Sequence, residues 1–162
     1  MKIGAYTVFV LLLFSIQATL LYSLSPLGIQ PDLCLVIACL VGFRMGSVPG
    51  VLVGFCLGVI QDLFSAGPFG LNTFTKAGAG FLAGVFAENL ANRASYAAFV
   101  PVMACSVLSA IVFLLWSRVG TGLGEMFHGF FSILLPQAML DGLLAVVANW
   151  VIVRWLVEAP ST

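Results

Sequence analysis

The sequence predicts an all-α integral membrane protein: a single membrane domain over residues 1–162, built as a bundle of six transmembrane helices. Three observations predict it. Of the 162 residues, 62% are hydrophobic and only 7% are charged, where a soluble domain carries about 25% charged residues. Mean hydropathy is +1.17. The apolar residues also fall into runs separated by short breaks, and a helix needs about 20 apolar residues to cross the hydrocarbon core. Six Lys/Arg balance six Asp/Glu, so there is no basic surface to attract nucleic acid.

The first predicted span covers residues 4–24, after Lys2. At about 21 residues it is long for the apolar core of a signal peptide, and no A-x-A cleavage site follows, so it reads as a retained span. "SPLGIQPD" then breaks the chain with Pro26, Gly28 and Pro31. The second segment, residues 32–44, is only about 13 residues, roughly 20 Å as a helix. It either crosses a thinned region or re-enters. The third span covers 48–64, with Ser47 placed to cap it and Pro49 in its first turn. "SAGPFGLN" is a tight turn, and the fourth span follows at 73–90. "ANRAS" leads to the fifth span, 96–116, and "SRVGTGLGEMFHG" to the sixth, 130–157, which is long enough to tilt or to project. With six spans, Lys2, Arg44, Arg93 and Arg154 lie on the side of the termini. Arg118 lies in an opposite loop, and Lys76 just inside the fourth span from that side. The excess of positive charge makes the side of the termini cytoplasmic.

Two ladders of small residues stand out. Gly50, Gly54 and Gly58 recur every four residues in the third span, and the next step of four is Asp62. Ala79, Ala83, Ala87 and Ala91 repeat the spacing in the fourth span, beside Gly80 and Gly84. Glycine costs about 1 kcal/mol relative to alanine inside a helix. In lipid, however, helices associate through close backbone approach, and small residues permit it. The ladders therefore predict that the third and fourth spans pack closely, possible partners being each other.

The intramembrane charges follow. Asp62 and Lys76 flank a short turn at similar depth. Either they pair, or each snorkels separately to the interface. Asp141 falls roughly 16 Å into the sixth span, and Gln137 stands one turn earlier. With Gln17 of the first span, these residues form a polar cluster in the outer half. It serves either as a ligand pocket or, the reading favoured here, as polar contacts that fix helix register.

No site for reaction chemistry is evident. Cys34, Cys39, Cys56 and Cys105 sit in apolar runs without C-x-x-C spacing and read as small packing residues. His128 follows Glu125 by three residues in a loop, too few groups for a metal. The sequence therefore calls for no cofactor, no metal and no enzymatic activity.

The stretch "QPDLCLVIACLVGFRMGSVPGVLVGFCLGVIQDLFSAGPFGLNTF" resembles the signature region of the rod shape-determining protein MreD family. The shared marks are Pro31 and Asp32 before an apolar run, Arg44 and Gly46 after it, then Gly50, Gly54, Gly58, Asp62, Pro68 and Gly70. The likeness covers roughly residues 30 to 90, with hydropathy alone agreeing beyond Tyr96. It implies a non-catalytic inner-membrane scaffold of bacterial cell elongation and lateral peptidoglycan synthesis. The implied partners are MreC, the actin-like MreB filament, and the peptidoglycan glycosyltransferase and transpeptidase. It also implies a fold similar to the substrate-binding subunits of energy-coupling-factor vitamin transporters, and such a subunit is the alternative function. Those subunits carry an alanine ladder on their first span, whereas here the first span holds only Ala5 and Ala18.

Overall fold

The computed structural model describes residues 31–65, 69–90, 95–117, 128 and 130–152. The first predicted span, Gln17, Arg93, Glu125 and the end of the sixth span lie outside the described residues. Five α-helices follow in order among them: α1 (Leu33–Met45), α2 (Ser47–Phe64), α3 (Leu71–Glu88), α4 (Phe99–Ser117) and α5 (Leu135–Ile152). A 3-10 turn, Ser95–Ala98, leads into α4, and a π-helical turn, Phe130–Leu134, leads into α5. The π turn ends beside Pro136, which has no N–H to offer the regular ladder.

Three stretches are long and apolar enough to cross a membrane: Ser47–Phe64, Tyr96–Trp116 and Phe130–Ile152. Their limits lie close to those the hydropathy sets for the third, fifth and sixth spans. Helix α1 is apolar but has only 13 residues. Helix α3 has 18 residues but carries Asn72, Lys76 and Glu88. Both are helices, as expected, yet neither is a crossing segment by length and apolarity.

The helix ends follow local chemistry. Asp32 caps α1, its carboxylate accepting the Leu35 N–H at 3.1 Å. Gly46 closes α1 by donating to the Gly42 carbonyl at 2.9 Å. Its φ of +103° is open to glycine and strained for other residues, and this one residue joins α1 to α2. Ser47 was expected to cap α2. Gly46 holds the cap position instead, without a side-chain bond, and Ser47 is the first helical residue. Pro49 does fall in the first turn.

Helices α1, α2 and α3 meet backbone to backbone. A Cβ added at Gly50 would lie 2.7 Å from the Gly42 Cα and 2.8 Å from the Gly80 carbonyl carbon. One at Gly54 would lie 2.6 Å from the Lys76 carbonyl carbon, and one at Gly58 2.7 Å from the Asn72 carbonyl oxygen. Real Cβ atoms do not approach backbone so closely, so these positions admit glycine alone. The predicted packing of the third span on the fourth is thus present, with α1 joining it through Gly42.

The alanine row takes a different place from the one its spacing suggested. Gly80 and Gly84, not the alanines, meet the α1–α2 backbone. Ala79, Ala83 and Ala87 face the apolar core shared with Leu35, Cys39 and Phe43 of α1, Val102 and Cys105 of α4, and Ala145 of α5. All three alanines are buried, as are Gly50, Gly54 and Gly58. As surfaces for a partner helix the two ladders are therefore already occupied within the chain. The exposed faces carry the large side chains instead, among them Leu52, Phe55, Phe74, Phe81, Leu143 and Trp150. Small residues inside and bulky apolar ones outside suit a protein whose solvent is lipid.

Candidate functional site

Four charged residues, Asp32, Asp62, Lys76 and Asp141, lie toward the end of the bundle where α1 and α3 begin and α2 finishes. Asp62 is on the last turn of α2 and is 3% exposed. Helix α3 starts after Gly70, which has φ +95° and supplies no side-chain cap. The first N–H groups of a helix lack partners inside it, and Asp62 provides them from the neighbouring helix. Its Oδ2 accepts the Gly70 N–H at 3.0 Å, the Thr73 N–H at 2.9 Å and the Thr73 hydroxyl at 2.6 Å. Its Oδ1 accepts the Asn72 N–H at 3.0 Å. The carboxylate also lies at the positive end of the α3 dipole.

Lys76 is one turn further along α3 and fully buried. Its Nζ lies 2.8 Å from Asp32 Oδ2 and donates to Asn72 Oδ1 at 3.0 Å. The alternative in which Lys76 pairs with Asp62 is corrected here. Asp62 is turned to the start of α3, whereas the lysine reaches across to the cap of α1. The other alternative, separate snorkelling, is corrected as well, since neither Asp62 nor Lys76 is exposed.

Asp141, in the second turn of α5, is fully buried and joins the same group. It accepts the Asp32 backbone N–H at 2.9 Å and the Ser106 hydroxyl at 2.5 Å. One carboxylate thereby links α1, α4 and α5. Gln137 is half-buried one turn before it and takes no part in these bonds. At the opposite end of α1, Arg44 Nε donates to Asn149 Oδ1 of α5 at 2.6 Å.

A carboxylate placed alone at the bilayer centre costs about 2.5–3.5 kcal/mol on insertion scales. Here each buried carboxylate meets several donors, and each bond joins two helices or closes a helix end. Asp32, Asp62, Lys76 and Asp141 are therefore turned on neighbouring helices and helix ends, while Gln137 takes no part and Gln17 lies outside the described residues. A cavity of about 110 Å³ does lie between α3 and α4, but its walls are largely apolar: Phe74, Gly78, Leu82, Leu108 and Val112. Cys34, Cys39 and Cys105 are buried free thiols, and Cys56 is exposed. Among the described residues, no three His, Cys, Asp or Glu side chains gather as a metal site would require. His128 is exposed, and its carbonyl accepts the Ser132 hydroxyl at 2.5 Å.

Asn72, Ser106 and Asn149 belong to this network and were not singled out from the sequence. The signal for each was a polar residue inside or bordering an apolar run, Ser106 in "MACSVLSA" and Asn149 in "VVANWV". Ser106 and Asn149 have partners on other helices, which one-dimensional spacing does not reveal; the Asn72 side chain meets Lys76 one turn along its own helix.

The family model described as rod shape-determining protein MreD matches residues 2–159, nearly the whole chain. No curated protein and no solved structure matches it.

Proposed function

Since the chain belongs to the MreD family of rod shape-determining membrane proteins, we propose that it acts as a non-catalytic scaffold of lateral cell-wall elongation. In this reading it sits in the bacterial inner membrane with six spans and both termini cytoplasmic. Its fold is then similar to that of the vitamin-binding transporter subunits. It binds MreC, links it to the MreB filament, and supports the glycosyltransferase and transpeptidase that extend peptidoglycan.

The observation that carries the proposal is the use made of the buried charges. Asp32, Asp62, Lys76 and Asp141 are each bonded to a neighbouring helix or a helix end. Intramembrane ionisable groups mark function by default; in this chain they hold helices in place, as a scaffold needs. The glycine and alanine ladders are enclosed, so the helix of MreC has to dock on the outward faces, where bulky side chains meet lipid.

The test is photo-crosslinking in native membranes from residues on those faces, Leu52, Phe81 and Leu143, followed by mass spectrometry of the adducts. Adducts to MreC from at least one helix face are expected, along with loss of rod shape on depletion. Adducts to lipid alone from every face, with MreC failing to co-purify, would refute the scaffold reading. A vitamin retained through purification would replace it with the transporter subunit.

A further inference from the structure

Among the described residues the helices sort into two units. In the first, α1, α2 and α3 are fused at backbone level through Gly42, Gly50, Gly54, Gly80 and Gly84. Sliding one of these helices past another would drive side chains into backbone, so this unit moves as one body. In the second, α4 and α5 touch through side chains. The space at Gly142 is limited by the Phe99 ring, 2.9 Å from where a Cβ would stand, and a ring can give way. Between the units runs a seam of different character. On the first unit it is lined by Leu35, Leu40 and Phe43 of α1 and by the small Ala79 and Ala83 of α3, and on the second by Val102, Cys105 and Ala145. It contains the cavity between α3 and α4. Asp32 N–H to Asp141, Arg44 to Asn149, and Cys105 Sγ to the Ala79 carbonyl cross it.

The two strongest crossings sit at opposite ends of α1. Their α5 members, Asp141 and Asn149, are about 12 Å apart along the helix axis. Each is a side-chain clasp with a donor or acceptor that water can replace when the seam widens. Each unit also keeps its own internal bonds when the clasps part: Lys76 stays with Asp32 and Asn72, and Ser106 with Asp141.

We propose that the α4–α5 unit is a two-state element that unclasps from the α1–α2–α3 unit along this seam, so that release at one end of α1 loosens the clasp at the other. The proposal is independent of which partner the protein binds. In lipid the apolar contacts across the seam carry no hydrophobic driving force and the hydrogen bonds that cross it are individually weak, so parting the units exchanges helix contacts for lipid contacts and an open state is thermally reachable.

The chain carries its own reporters. Cys34 and Cys39 are both fully buried on α1. Cys34 packs within the fused unit against Leu57, whereas Cys39 faces the seam and lies against Cys105. The full-length protein in nanodiscs is treated with N-ethylmaleimide, and modification at each cysteine is followed by tandem mass spectrometry. Asn149→Leu removes one clasp. It should speed modification of Cys39 by about 3- to 20-fold, the range expected for one membrane hydrogen bond, and leave Cys34 within about twofold. A rise at Cys34 in step with Cys39 would mean general unfolding and would overturn the proposal, as would no rise at Cys39.

A second measurement leaves the clasps intact. Spin labels on the lipid-facing positions 52 and 81 report distances inside the fused unit, and labels at 52 and 143 report across the seam. The first pair should give one narrow distance distribution and the second a distribution with two components. A single narrow distribution for both pairs would overturn the proposal.

Discussion

Replacing Asp62 with leucine removes the cap that α2 lends to α3. Three backbone N–H groups and one hydroxyl lose their acceptor at once. Loss of an N-cap side chain costs about 0.5–2 kcal/mol. The Asn72 N–H is buried, so it adds the penalty of an unsatisfied donor, about 1–3 kcal/mol, while the half-buried Gly70 and Thr73 donors can turn to water. Together these give a loss of about 1.5–5 kcal/mol for Asp62→Leu. Asp62→Asn keeps one oxygen, which can still receive the Thr73 N–H and hydroxyl, but presents an amide to Asn72. Roughly half of the leucine effect is expected. Equilibrium unfolding in detergent, by steric trapping or by titration with a denaturing detergent, gives both values. If Asp62→Leu unfolds within about 0.5 kcal/mol of the unmodified protein, the carboxylate is not the cap of α3 and the reasoning fails.

Glycines inside and outside the α2–α3 contact, Gly54 of α2 and Gly78 of α3, should separate cleanly. Gly54→Ala places a methyl group against the Lys76 carbonyl and should destabilise by about 1–3 kcal/mol. Gly78→Ala meets nothing within 4 Å and should be neutral or stabilising by up to about 1 kcal/mol, and equal effects in the same unfolding assay would contradict the packing described. Double-mutant cycles should show coupling of about 0.5–3 kcal/mol between Asp32 and Lys76, which are 2.8 Å apart, and near none between Asp62 and Lys76. Asp32→Asn, Asp62→Asn and Lys76→Met supply the single variants, and coupling only in the Asp62 cycle would reverse the pairing. Arg44→Lys removes the Nε donor that reaches Asn149, so it should lower stability about as much as Asn149→Ala, and the two changes should not add. Additive losses would separate the two residues.

The helices were legible because each rests on a local rule. Hydropathy and breakers placed Ser47–Phe64, Tyr96–Trp116 and the start of the helix at Phe130 within a residue or so. The glycine ladder was legible because glycine every four residues in an apolar helix has few purposes other than contact. Which face of α3 met it was not legible. Gly80 and Gly84 stand one position from Ala79 and Ala83, about 100° around the helix, and either row has small side chains. The pairing of Lys76 was missed for a related reason. Asp62 is near it in sequence, but hydrogen bonds from the start of α3 claim that carboxylate first, and the available partner sits at the head of α1. Sequence distance ranks neighbours by connection; the bundle ranks them by depth. Ser47 was read as a cap by residue type, whereas the one-residue connection needs the positive φ that Gly46 provides.

The bonds of the charged network also set an order in biosynthesis. Asp62 meets donors 8 to 11 residues after it, within one short turn, so α2 and α3 can enter the membrane as a hairpin with its cap already closed. Asp32 and Arg44 wait much longer. Asp141 lies 109 residues beyond Asp32, and Asn149 lies 105 beyond Arg44. At bacterial elongation speeds, taken as about 5–20 residues per second, that wait is roughly 5–22 s. Through that interval the nascent chain holds a guanidinium and a helix-start N–H whose α5 acceptors have not yet been made. Ribosomes stalled before α5 should therefore leave the α2–α3 hairpin already capped, with the α1–α5 contacts forming only once translation has passed Asn149.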